Sequence, residues 1–425
     1  LLCFNLRLSA LICGLVLYLF PLRPLRPLRS VFWFSNVIQK TYVMASTASS
    51  PVIDTPVPRR FGMAQVLAAL LLLAFCAQGF WLLLRAPLDD SELEYLRGSA
   101  AGGEFTPPAV SSPVTTLAAR VAAACLHFPW AGRLSFLLVG MLLGASVWYI
   151  ARRLYGNAGG FVALTLYAFS PSMIAGSVRV QPEIIAAWGI FGCVFTAIAA
   201  AHKLYVPGDW RPGCGIGGQW WDWKRVALLG MAIGAGAGAQ LFTVLAILLG
   251  LAFMLYLAPG RRLIALGIMA AGAFLGLILF AALQGFRWSA LLADVRDSGG
   301  FTLQMLMAPS VWRMLGVLLL HNSPGFVLLL ALSLVTLPAW RHTRFFGNFA
   351  PLLTAVALIG SAWAFPHAAG FSFLMAALPF LFVFAGGVCA DLLESRRAPL
   401  AQGVISAALV MHAYFSLSGL WKLGR

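Results

Sequence analysis

Four carboxylates fall within six residues of the segment LDDSELEYLRG: Asp89, Asp90, Glu92 and Glu94. The whole chain of 425 residues holds only 13 Asp and Glu, so this density singles the segment out. On a helix Asp89 and Glu92 share one face while Asp90 and Glu94 share another, by the i, i+3 and i, i+4 spacing. Carboxylates held close raise one another's pKa, which is how a general base or a divalent-cation site is commonly built. An ordinary helix start explains the same acids, because Asp and Glu in a first turn meet the positive end of the helix dipole.

A second polar point is SPSMIAGSVRVQPEII, which places Arg179 and Glu183 four residues apart between two apolar runs. They read either as a surface ion pair, worth under about 1 kcal/mol, or as a polar pair beside a substrate cavity. Pro182 suits the first position of the following helix, with Glu183 in its first turn. Arg120, Arg133, Arg287, Arg296, Arg313, His321 and His367 flank apolar segments on the same side in the topology below. Singly each suits a lipid headgroup; together they suit a phosphate, whose oxygens match an arginine fork. The 7 cysteines contain no CxxC and mostly sit inside apolar runs, so no zinc site or disulfide framework is indicated.

The elements that must position these residues are set by composition. The chain is 61% hydrophobic and 10% charged, with mean hydropathy +0.89. That is more apolar surface than one soluble core could hide, so the solvent is lipid. Apolar runs near 20 residues recur between short polar connections, and the ten-residue alternation of a membrane barrel is missing, so the spans are helices. The net charge of +16 comes from cations scattered at the ends of these runs rather than from a basic face, which excludes nucleic-acid binding.

The expected fold is an all-α polytopic bundle of about eleven transmembrane helices, near 62–84, 133–151, 158–174, 184–201, 226–239, 241–257, 263–283, 323–340, 349–365, 371–389 and 399–418. AIGAGAGAQL interrupts the run 226–257, which is split into two short helices, although one long tilted helix is an alternative. With the split, every inner connection is basic: Arg152 and Arg153, Lys203 to Arg225, Arg261 and Arg262, Arg341 and Arg344, Arg396 and Arg397. The first outer loop, 85–132, is net acidic and is expected to hold short helices; a second outer loop spans 284–322. The inner segment 203–225, dense in Gly and Trp, reads as an interfacial anchor or a binding site.

Residues 1–61 form an N-terminal extension and flexible cytoplasmic tail ahead of a transmembrane domain at 62–420. Within it, residues 1–43 with their PLRPLRPLRS repeat look foreign to the rest and read either as a signal-like or anchoring segment or as translated upstream sequence, with Met44 or Met63 as the natural start.

The order of features resembles the GT-C class of membrane glycosyltransferases, especially the bacterial protein-mannosyltransferase-like and aminoarabinose-transferase-like members. A first span is followed by an acidic loop with Tyr95 (LDDSELEYLRG) and by SPVTTLAARVAAACL. Next comes RLSFLLVGMLLGASVWYIARRLYGNAGGFVALTLYAFSPSMIAGSVRVQPEII, the most specific stretch, and FSFLMAALPFLFVFAGG resembles the late span of the class. The resemblance implies transfer of a sugar from a polyprenyl-phosphate carrier to a lipid, protein or glycan acceptor on the outer face of a bacterial cytoplasmic membrane. An acid of the first loop would be the general base and cations would stabilise the departing phosphate. By position the base is Asp90, with Asp89 the alternate and Glu92 the companion acid. Arg179, Glu183, Arg133, Tyr95 and His367 would line the substrate cavity. No metal ligand is assigned, although a divalent metal could join the acids. The competing reading is a catalytically inactive protein of the same fold that docks with partner subunits of a larger membrane complex.

Overall fold

The computed structural model describes residues 62–89, 92, 112–126, 128, 130–205, 223–285, 288–289, 312–313, 315–317, 319, 323–337, 345–364, 370–395 and 398–423. All regular structure among them is helical. The order is α1 Met63–Arg85, α2 Pro113–Cys125, α3 Ala131–Ala168, α4 Pro171–Ser177, α5 Glu183–Tyr205, α6 Trp223–Ala239, α7 Leu245–Leu257, α8 Arg262–Leu283, α9 Pro324–Thr336, α10 Phe345–Ala364, α11 Gly370–Leu393 and α12 Ala398–Leu423.

Local chemistry explains most of the boundaries. Helix α2 and helix α9 open with Pro at the first position, after Ser112 and Ser323, where the missing N–H costs nothing. Ser170 caps α4 by accepting the Met173 N–H at 3.3 Å, again with Pro at the next position. Helix α5 starts at Glu183, directly after Pro182, with the acid in its first turn. Helix α3 is a hairpin rather than one rod, because Gly156 adopts φ 80° and reverses the chain. Its two arms lie against each other: the ring of Tyr167 comes so close to Gly144 that only glycine fits there, and the Tyr167 hydroxyl bonds the Gly140 carbonyl. The run 226–257 is broken, as the sequence indicates, at Gln240, whose extended backbone ends α6 before the 3-10 turn Leu241–Val244.

The described residues contain six helical segments long and apolar enough to cross a membrane, in α1, α3, α5, α8, α11 and α12, and shorter apolar helices at Leu241–Leu257, Pro324–Thr336 and Phe349–Trp363. The fold is thus a multi-pass helical one, with six such segments and three shorter apolar helices among the described residues. Helix α6 has 17 residues, and α7 and α9 have 13 each. At about 1.5 Å per residue these reach roughly 20–25 Å, short of the roughly 30 Å of hydrocarbon.

Helix α11 occupies the middle. Its apolar stretch is wholly buried, and it packs against α3, α5, α9, α10 and α12. The other crossing helices except α5 keep exposed large apolar side chains, which lipid covers. Helices α5 and α6 run antiparallel in close backbone contact at Gly189 and Gly236; a methyl group on Gly189 would lie 2.5 Å from the Gly236 Cα.

Candidate functional site

The buried polar centre of the structure lies where the acidic loop leaves α1. Pro87 interrupts the chain after Arg85, the last residue of α1, and Glu92 then turns back into the protein. Its side chain is 1% exposed, and that of Arg133, the third residue of α3, is 2% exposed. Each Glu92 oxygen accepts two N–H groups. Oε1 takes Arg133 Nε at 3.0 Å and the Val180 backbone N–H at 2.8 Å, while Oε2 takes the Asp89 N–H at 3.0 Å and Arg133 Nη2. The guanidinium spends its remaining reach on α1: Nη1 donates to the Ala86 carbonyl and Nη2 to the Pro87 carbonyl, both at 2.8 Å.

This clasp joins four segments: the end of α1, the acidic loop, the start of α3, and the link between α4 and α5. A buried carboxylate is tolerable only when its charge is paired and its lone pairs are used, and both conditions are met here. The pair also offsets an arginine in the first turn of a helix, where the dipole disfavours a cation. The Asp89 N–H donates to the Glu92 carboxylate three residues ahead, the reach-back contact that an acid makes near a helix start. The helix-start explanation of the acidic cluster therefore has a concrete part in Glu92.

The other site residues are distributed around this clasp. Asp89 is exposed, and Asp90, Tyr95 and His367 lie outside the described residues, as do Glu94 and most of 206–222 and 284–322. Arg179 is exposed, whereas its neighbours Val178 and Val180 are buried at 2% and 0%. Arg179 and Glu183 form no ion pair among the described contacts. Their spacing implies proximity only on a helix, and residues 178–182 make a bend that precedes α5. One oxygen of Glu183, Oε2, is buried with no hydrogen-bond partner among the described residues, and so is the Thr115 hydroxyl of α2.

Arg133 and Glu92 were each legible as polar residues beside an apolar run, but not as partners, since 41 residues separate them. A second buried polar node had no signal beyond a lone histidine in an apolar stretch. His412 of α12, fully buried, bonds the Leu166 carbonyl through Nε2 at 3.0 Å and the Ser323 hydroxyl through Nδ1. The Leu166 carbonyl is near the C-terminus of α3, where helical partners run out, and the Ser170 N–H that would follow goes to Tyr167 instead, at 3.1 Å. Ser323 caps α9 at the root of the segment 284–322. No group of three or more His, Cys, Asp and Glu gathers to hold a metal among the described residues. Both Glu92 oxygens are already engaged, each by two nitrogen donors.

The helical architecture has counterparts among solved structures. It is similar to the structure of ArnT from Cupriavidus metallidurans bound to undecaprenyl phosphate, with TM-score 0.55 at 12% identity, over 84% of this chain and 77% of that one. It is also similar to the Archaeoglobus fulgidus oligosaccharyltransferase in complex with Zn and sulfate, with TM-score 0.51 at 13% identity, over 82% of this chain and 53% of that one. The apo form of that enzyme gives TM-score 0.51 at 12% identity, over 83% and 56%. The chain thus spans about half the length of the archaeal protein. No protein-family model and no curated protein sequence matches it.

Proposed function

We propose that the chain is a membrane glycosyltransferase that moves a sugar from a polyprenyl-phosphate carrier to a hydroxyl of a lipid, protein or glycan. The observation that carries this reading is the clasp: Glu92 and Arg133 pin the acidic loop across the start of α3 and the link to α5. That brings exposed Asp89 to the same end of the bundle as Glu183, through the Val180 contact three residues before it. The undecaprenyl-phosphate-bound neighbour, similar over 77% of its own length, supports the donor class.

In this reading Asp90 removes the acceptor proton, with Asp89 as the alternate base. Glu92 holds the loop rather than serving as the base, because both its oxygens are engaged by charge-assisted bonds. Glu183 offers Oε2 to a substrate hydroxyl, which gives that buried oxygen the partner it otherwise lacks. Arg179, exposed beside it, meets the carrier phosphate. The proposed location is a bacterial cytoplasmic membrane with the acidic loop outside. The stacked Trp81 and Trp421 put the C-terminal ends of α1 and α12 together, which calls for an odd number of crossings, and eleven is one such number.

A transfer assay in proteoliposomes, with a polyprenyl-phosphate sugar as donor and an alkyl alcohol as acceptor, tests the reading. Turnover in wild type that is lost in Asp90→Asn supports it. The second reading, an inactive GT-C-like subunit of a membrane complex, is favoured by how completely Glu92 and Arg133 consume each other. It predicts no transfer and co-purification of a stoichiometric membrane partner.

A further inference from the structure

Arg85 ends α1 in an unusual setting. Its guanidinium carbon lies 4.8 Å from the ring centroid of Trp81, one turn earlier, and 5.8 Å from that of Trp421 on α12. The two indoles stack with centroids 5.6 Å apart and planes 12° from parallel. The side chain is exposed, and among the described residues it makes no hydrogen bond or ion pair. Lys422, exposed and likewise without a carboxylate partner among the described residues, directly follows Trp421. Arg85 and two indoles thus meet where α1 touches α12, with Lys422 next in sequence and no carboxylate partner for either cation among the described residues.

The place is at once polar and lipid-facing. Ala86, the next residue, gives its carbonyl to Arg133 at 2.8 Å, so this cluster borders the Glu92 clasp. On the same two helices, Leu84 is 53% and Phe415 45% exposed, an apolar surface that lipid chains cover. Indoles with a polar edge belong at the headgroup level of a bilayer. Contact between an arginine and an aromatic ring uses the face of the guanidinium and leaves its N–H edge free, and that edge matches two oxygens of a phosphate.

We propose that Trp81, Arg85, Trp421 and Lys422 form a docking site for the phosphate of an anionic membrane lipid at the edge of the bundle. The indoles hold Arg85 in one orientation, its N–H edge grips two phosphate oxygens, and Lys422 adds charge as the acyl chains lie along α1 and α12. The site does not depend on the transferase reading. If that reading holds, a carrier phosphate docked here stands beside the acidic loop before it enters.

The full chain in a neutral maltoside detergent, titrated with phosphatidic acid or phosphatidylcholine and followed by native mass spectrometry, tests this. Wild type is expected to bind its first phosphatidic acid more tightly than phosphatidylcholine. Arg85→Gln should weaken that binding about tenfold and Lys422→Gln a few-fold, with melting temperature and phosphatidylcholine binding unchanged. Lys422→Gln leaves the ring stack untouched, so its effect separates lost charge from lost packing. Equal affinity of wild type for the two lipids, or wild-type phosphatidic acid binding in Arg85→Gln, overturns the site. Full displacement of the lipid by excess inorganic phosphate would overturn the assignment to a lipid and leave a free-anion site.

Discussion

Arg133 Nε lies 3.0 Å from Glu92 Oε1, inside a closed set of bonds that also reaches Ala86, Pro87, Asp89 and Val180. Removing one member of a buried pair leaves the other charge uncompensated, at about 3–5 kcal/mol. Glu92→Gln and Arg133→Leu are each expected to lower the unfolding free energy by about that amount in detergent. The Glu92→Gln/Arg133→Met double variant should recover part of it, because no charge is then stranded. Hydrogen exchange at the Val180 amide should rise in Glu92→Gln. Singles within about 1 kcal/mol of wild type would show the clasp to be dispensable.

The proposed base and the clasp separate by which property they change. Asp90→Asn should lower turnover by about two to four orders of magnitude at unchanged melting temperature. Glu94→Gln should leave turnover near wild type. Arg179→Ala should raise the concentration of donor needed for half-maximal rate more than it lowers the maximal rate. Steady-state transfer rates across donor concentration check all three, and an Asp90→Asn protein as active as wild type removes the proposed role.

The stack of Trp81 on Trp421 gives the topology a direct test. Single cysteines placed at 89 and 422 in a cysteine-free background should react with a membrane-impermeant maleimide added to the same side. A cysteine at 210, in the expected inner connection, should react only from the other. Labelling of 89 and 422 from opposite sides would refute the parallel course of α1 and α12.

Two glycines are required for different reasons, and their substitutions should differ. Gly156 holds φ 80° and ψ −173° with no atom within 4 Å of an added methyl group, so Gly156→Ala meets backbone strain alone, about 1–3 kcal/mol. At Gly189 an added methyl group would lie 2.5 Å from the Cα and 2.6 Å from the N of Gly236, backbone atoms that cannot rotate away. Gly189→Ala should force α5 and α6 apart and cost more than Gly156→Ala. Thermal unfolding of the two variants decides it, and equal losses would mean that the α5–α6 contact relaxes freely.

Much of the fold was legible in the residues because its determinants are local. Apolar runs of membrane length, Gly156 at the turn of the α3 hairpin, the break at Gln240 and the start of α5 after Pro182 each depend on a few consecutive residues. The length of a helix was harder to read: α7 and α9 are strongly apolar yet have only 13 residues each. The acidic loop stood out by composition, but the role of each acid did not. Glu92 is saturated by Arg133 from 41 residues away and by Val180 from 88 away, while Arg179 and Glu183, four residues apart, make no ion pair among the described contacts. Which donor reaches a carboxylate is set by how α1, α3 and the link to α5 pack together. Sequence alone determined that this chain lives in lipid, where its helices begin and turn, and which residues carry charge; the tertiary structure alone decided which charges are spent on each other, because partners that far apart in the chain are chosen by helix packing rather than by spacing.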